Sequence, residues 1–187
     1  VLRRHSYTAV VFVPSAHLGA LNTWDGQHPV LSRLRVMSAA RLRAMAAGTW
    51  EIASHSAHHV DLRTIETGAR RRELSASRAA LSELVGRPVR ALAYPFGYEN
   101  QSVRRDAAAA GFELGFVANP YPASDRMRLP RRAITNLDRG GVLNLRLAGR
   151  PWLYRLEDGA RVPVRGARQL GMAARERVAG RHGQQWS

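Results

Sequence analysis

GTWEIASHSAHHVDL, residues 48–62, changes character at its midpoint. The first half, TWEIAS (Thr49–Ser54), is a short apolar run and reads as a strand. The second half places His55, His58 and His59 directly after it. His55 and His59 are four apart. That spacing sets two imidazoles on one face of a helical turn, where both can hold one divalent ion. They must be neutral to do so, which their intrinsic pKa allows near pH 7. His58 is one residue off that register and points away from the pair. The pair alone leaves two readings open, a metal site and a solvated turn with ordinary histidines. A catalytic metal also asks for a third protein ligand and an open position for water.

Outward from this stretch the chain alternates. YTAVVFVP (Tyr7–Pro14) reads as a buried strand ended by proline. SAARLRAMAAG (Ser38–Gly48) reads as a helix with Ser38 as N-cap, Leu42 and Met45 or Ala46 inward, and Gly48 as its stop. TGARRRELSASRAALSELVGRP (Thr67–Pro88) is the clearest helix, with Leu74, Leu81, Leu84 and Val85 on one stripe and Gly86 and Pro88 as stop signals. RALAYPFG (Arg90–Gly97) is a further strand ending in an aromatic Pro-Gly turn. NQSVRRDAAAAG (Asn100–Gly111) is a helix capped by Asn100. FELGFVANP (Phe112–Pro120) and MRLPRRAI (Met127–Ile134) read as strands. Strands alternating with helices imply parallel βα units, with chemistry at the carboxyl ends of the strands. His55 and the Tyr94–Gly97 turn both fall there. Beyond about residue 140 the alternation weakens, so the expected organisation is a domain over 1–140 and an Arg-rich extension over 141–187.

Composition narrows the class. A hydrophobic content of 45% in 187 residues allows a real core and argues against global disorder. Cysteine is absent, which excludes disulfides, thiolate zinc sites and cysteine nucleophiles together. No apolar run reaches transmembrane length. The opening run reads as a strand, with no small-residue cleavage site of an export signal. The first residue is Val, so the expectation is a processed product, a fragment or a late-started reading frame. All 29 basic residues are arginine, and the net charge of +15 favours anionic partners. The arginines are spread out and not interleaved with aromatics, which favours solvated faces over a dedicated nucleic-acid site. Residues 161–181 are the exception, six arginines against Glu176 alone. No G-x-S-x-G elbow, phosphate-cradling loop or dinucleotide fingerprint is present.

Taken together, YTAVVFVPSAHLG, NTWDG, GTWEIASHSAHHVDL, LSASRAALSELVGRPVRALAYPFGYEN, AAAAGFELGF and RLPRRAI resemble, in order and spacing, the polysaccharide deacetylase family (carbohydrate esterase family 4, the NodB-homology domain). The resemblance runs from about Tyr7 to Thr135. The Y-P-F-G and N-x-W-D variants look most like members linked to bacterial exopolysaccharide and cell-surface glycans. It implies a distorted (β/α) barrel and a divalent metal, commonly zinc, held by one Asp and the two histidines of H-S-x-x-H, here His55 and His59. A second Asp acts as base and a late His protonates the leaving amine. The products are acetate and a free amino sugar. On this template Ser56 supports the loop by bonding to backbone, and Tyr94, Pro95, Phe96 and Gly97 form a wall of the sugar groove. Their ordinary reading is a strand-terminating turn with core aromatics. The family works mostly in the cell envelope or outside the cell.

The departures are specific. The family's adjacent aspartates lie on a strand preceding Tyr7–Pro14, so the barrel is expected without its first strand, with Tyr7–Pro14 as an exposed edge. The family's groove-wall Arg aligns with Ala93. No His stands between His59 and His182, so the late acid has no counterpart. Leu129 and Arg131 fill that slot; Arg131 could bind substrate, although a structural arginine is the commoner reading and Arg is a poor proton donor. Asp25 reads as fixing a loop and Asp61 as capping a helix rather than as metal ligands. Three functional readings follow: a metal-dependent deacetylase of a surface polysaccharide, inactive in this form if the aspartates are absent; a noncatalytic glycan-binding relative or truncated product; and a basic module docking on nucleic acid or anionic membrane through its tail.

Overall fold

The computed structural model describes residues 2–24, 30, 33–118, 124–131 and 134. The chain divides into two units, Val1–Ala133 and Ile134–Ser187. All of the second except Ile134 lies outside the described residues, and with it the boundary near residue 140 and the Arg-rich extension.

Among the described residues of the first unit, five strands alternate with three helices: β1 (Val10–Val13), α1 (Ala39–Ala46), β2 (Glu51–Ser54), α2 (Thr67–Val85), β3 (Ala91–Ala93), α3 (Gln101–Ala109), β4 (Leu114–Val117) and β5 (Leu129–Pro130). Every pairing is parallel, and the spatial order follows the chain order from β1 to β5. A sheet that never reverses its strand order is wound in one direction, as in a (β/α) barrel. The sheet also curls. In a flat sheet β1 and β4 would be about 14 Å apart, three spacings of roughly 4.8 Å. Yet the Phe12 and Phe116 rings meet edge to face at 5.4 Å between centroids.

Local sequence explains the element ends. The Ser38 hydroxyl accepts from the Arg41 N–H and starts α1; the Asn100 side chain accepts from the Val103 N–H and starts α3. Gly86 ends α2 in the left-handed conformation at φ 71°. The N-cap of α2 is Glu66, whose carboxylate accepts from the Ala69 N–H. Asp61 caps no helix. It sits in a turn and bonds the Arg63 guanidinium, with contacts of 3.0 and 2.7 Å, and that bond holds its carboxyl below its ordinary pKa.

The core joins the inward stripes of the helices to the sheet: Leu42, Leu74, Leu81, Val89, Leu92, Tyr94 and Val103 are all fully buried. Leu84 and Val85, expected on the α2 stripe, pack at its margin. β2 is buried at Ile52, Ala53 and Ser54, as befits a central strand covered on both faces. β1 departs from the buried strand expected. Val13 is buried, but Val10 is 48% exposed, because among the described residues no strand lies beyond β1. A buried ion pair ties α2 to α3: Arg70 Nε meets Asp106 Oδ2 at 2.6 Å and Arg71 Nε meets Oδ1 at 3.0 Å. Burial alone would raise the Asp106 pKa; the hydrogen bonds from Arg71 and Arg70 outweigh it and hold the carboxyl below its ordinary value.

Candidate metal and substrate site

The carboxyl ends of β2 and β3 meet at the histidines. His55 leaves β2 with its N–H on the Val13 carbonyl at 2.9 Å, still in sheet register. Residues 55–59 are not a helical turn, as the four-residue spacing suggests; they form a loop in which Ser56 and His59 take left-handed backbone, at φ 63° and 57°. The imidazoles converge all the same, with ring centres 4.7 Å apart. Non-glycine residues seldom hold this conformation, and such strain concentrates where surrounding contacts impose it.

Those contacts are identifiable. The Ser56 N–H donates to Ser54 Oγ (3.2 Å), which pairs with Ser77 Oγ (2.7 Å), which donates to the Ser56 carbonyl (2.9 Å). With the Ser77 proton committed to that carbonyl, Ser54 must donate to Ser77. The three bonds close a circuit through both backbone groups of Ser56, and each polarises the next. Ser56 Oγ accepts from the His59 N–H at 3.0 Å, the backbone bond expected of it. From α2, Glu73 Oε2 accepts from the Ala57 and His58 N–H groups (3.1 and 2.9 Å), and Oε1 accepts from His58 Nδ1 (2.5 Å). His58 therefore points away from the pair, as its register implies.

The ligand atoms are set by the same logic. His55 Nδ1 donates to the Ala93 carbonyl at 2.6 Å, which fixes the tautomer and leaves Nε2 with its lone pair. Burial pushes the His55 imidazole down to about 4, against the Ala93 hydrogen bond and with help from His59 and Arg131. The ring is thus neutral near pH 7. His59 stacks on Trp24 at 4.7 Å and meets Phe96 edge-on at 4.7 Å, so packing orients its ring from both sides.

Does the pair fit one ion? Imidazole nitrogens ligate zinc at about 2.0–2.1 Å, which puts each ring centre roughly 3.2 Å from the metal. At ligand angles of about 90–110° the two centres then lie about 4.5–5.2 Å apart. The observed 4.7 Å falls within that range. A third ligand does not join them: among the described residues no three His, Asp or Glu side chains converge on a common point. Asp61 is engaged with Arg63, and Asp25 lies outside the described residues.

A cavity of about 320 Å³ opens over the pair, lined by Trp24, His55, His59, Tyr94, Phe96, Gly97, Ala118 and Arg131. The Y-P-F-G turn contributes unevenly. Phe96 is 49% exposed at the rim, held at φ 58°. Tyr94 is fully buried and backs the cavity; its hydroxyl donates to the Met127 carbonyl at 2.9 Å, and burial raises its pKa. Pro95 is buried behind the turn and does not line the cavity. Gly97 has φ 73°, and a Cβ there would lie 2.3 Å from the Ala118 Cβ. Arg131 belongs to the site rather than to the outer surface.

Sequence reasoning passed over Glu73, Ser77 and Trp24. One signal was present. Arg70, Leu74, Ser77 and Leu81 recur at three- and four-residue steps along α2 and are all buried. A Ser within such an apolar stripe needs a hydrogen-bond partner.

A one-way parallel βα sheet carries two converging histidines, one of them held neutral by burial, and a cavity of about 320 Å³ at its carboxyl end. The chain belongs to the polysaccharide deacetylase family, whose sequence profile matches residues 1–115. Members of that family, carbohydrate esterase family 4, are hydrolases and generally depend on a divalent metal. The fold is similar to that of the deacetylase PplD of Streptococcus pyogenes, solved with acetate (TM-score 0.65, 19% identity, 77% of this chain and 60% of that one). It is also similar to IcaB of Ammonifex degensii (TM-score 0.60, 18% identity, 79% and 64%). A de-N-acetylase of Aggregatibacter actinomycetemcomitans is a third (TM-score 0.61, 18% identity, 78% and 67%). The chain thus spans about 60% of the length of PplD. A search of the curated proteins finds no match. The likenesses establish the α/β deacetylase fold.

Proposed function

We propose that this chain carries the histidine half of a zinc-dependent deacetylase acting on N-acetylated amino sugars of a bacterial surface polysaccharide. The observation that carries the reading is the His55–His59 pair, two converging rings of which His55 is held neutral with Nε2 free of its backbone bond. His55 and His59 would hold the ion. Bound there, zinc supplies Lewis acidity toward an acetyl carbonyl and lowers the pKa of a bound water. The chain's own residues do the rest of the work on this side. Phe96 and Trp24 give a sugar ring apolar faces to pack against. Tyr94 and Gly97 shape the cavity floor, and Pro95 stiffens the turn behind it. The third ligand and the general base would come from a strand paired with the open edge of β1.

Acetate release from acetylated glucosamine oligomers with added zinc, by a polypeptide that carries such a strand together with these residues, tests this reading. Turnover should vanish in His55→Ala and in His59→Ala; turnover that survives either substitution overturns the metal pair. A second reading, a glycan-binding relative without turnover, is favoured by one observation. Phe96 and Tyr98 are exposed, their rings are 5.9 Å apart, and Arg63 lies over Tyr98 at 4.1 Å. Such a rim holds sugars without any metal. Oligomer binding that persists in His55→Ala, with no acetate released even by a polypeptide that carries such a strand and both histidines, is its signature.

A further inference from the structure

His17 does not line the cavity, yet it stands two ring contacts from His59. It closes a short turn after β1, Ser15–His17. That turn is zipped to the histidine loop. The Ser15 and Ala16 N–H groups donate to the Ser56 and Ala57 carbonyls at 3.2 and 3.0 Å, and the His17 N–H donates to the Pro14 carbonyl at 3.1 Å. The chain beyond it is pinned as well. Leu21 pairs with Arg35 in an antiparallel bridge, the Asn22 N–H donates to the Leu34 carbonyl at 2.9 Å, and the Arg35 guanidinium donates to the Gly19 carbonyl at 3.0 Å. From this anchored segment the Trp24 ring reaches both histidines. Its centre lies 5.2 Å from that of His17, and 4.7 Å from that of His59, whose plane is only 26° from its own.

We propose that His17 is a positioning residue for the histidine pair: it wedges Trp24 against His59 and so presets the plane in which His59 meets an ion. This rests on the reading of His55 and His59 as metal ligands. The two rings are oriented by different means. A hydrogen bond to the Ala93 carbonyl sets His55, whereas His59 lies against the indole and follows its plane. A ring already held loses little rotamer freedom when the ion binds, which corresponds to about three- to tenfold in affinity. His17 acts through Trp24 and touches neither ligand ring; among the described residues its ring contacts are with Trp24 and, edge-on at 5.8 Å, His58.

The test uses the whole chain, labelled with carbon-13 at histidine and held at one pH. In the chelator-treated chain the His59 ring protons, lying against the indole, should resonate upfield of ordinary histidine values, and Trp24→Ala should abolish that shift. His17→Ala should move the same resonances toward ordinary values, leave those of His55 in place, and weaken calorimetric zinc binding by about threefold or more. His17→Phe, which keeps a ring against Trp24, should restore both. A His17→Ala chain that loses stability while its His59 shift and zinc affinity stay put overturns the proposal, and so does a failure of His17→Phe to restore them. If His17→Ala does not fold, His17→Gln, polar but without a ring, decides in its place. No zinc uptake by the unaltered chain removes the metal pair and this proposal together; uptake that His17→Ala leaves unchanged removes this proposal alone.

Discussion

Ser77 lies on α2, far from the histidines in sequence, yet its hydroxyl closes the circuit that holds Ser56 in left-handed backbone. Ser77→Ala leaves Ser54 Oγ and the Ser56 carbonyl buried without that partner. Urea denaturation should register a loss of about 1–3 kcal/mol. A neutral change there would mean that the loop holds itself. Gly97→Ala should be worse than an ordinary surface Gly→Ala. It must keep φ near 73° and drives a methyl into Ala118, so thermal unfolding should show a clear fall in Tm and the Phe96 ring should be displaced. At this scale the sequence was partly legible. H-S-x-x-H after a strand leads to the expectation that the His55 and His59 rings converge, and their centres do lie 4.7 Å apart. The helical turn inferred from that spacing was wrong, because Ser56 and His59 sit at positive φ, imposed by contacts from α2 that no local pattern encodes. Arg131 could not be placed either, since only the curl of the sheet carries it over Phe12.

Elements were legible where capping and periodicity agree. Ser38, Asn100 and Gly86 do at the helix ends what their residue types favour. Strands were found but overlong, because only Ala91–Ala93 of the Arg90–Gly97 run pairs before Pro95 and left-handed Phe96 turn the chain. The Arg70–Asp106 pair, which ties α2 to α3, was invisible for want of any local signature at a separation of 36 residues. It makes a pH prediction. The folded Asp106 carboxyl titrates below its unfolded value near 3.8, so the unfolded state binds the proton first as pH falls. The pair's contribution is therefore complete above about pH 4 and is lost as pH drops through the folded pKa. Chemical denaturation from pH 6 to pH 2.5 should show this loss, and Asp106→Asn should flatten that part of the profile. At pH 7 the same substitution leaves Arg70 buried without its counter-charge and should cost about 3–5 kcal/mol. An unchanged acid limb would place the sensitivity elsewhere.

For the molecule as a whole, alternation of strands and helices led to a parallel βα fold, and the family match and structural likenesses agree with it. Among the described residues β1 stands at the end of the strand order. Among the described residues no helix is long and apolar enough to cross a membrane. What joins fold to function is the claim that winding β2 and β3 side by side brings the Ala93 carbonyl to His55, so that this neutral imidazole and the converging His59 ring can share one ion. Calorimetric titration of zinc into the chelator-treated chain, beside His55→Ala, His59→Ala and His58→Ala, addresses that claim most directly. One ion should bind per chain. Affinity should fall by at least about 100-fold in His55→Ala and His59→Ala, more than the loss of an outer partner brings, and should be nearly intact in His58→Ala. Zinc uptake by His55→Ala or His59→Ala at the original affinity, or a loss confined to His58→Ala, would contradict it.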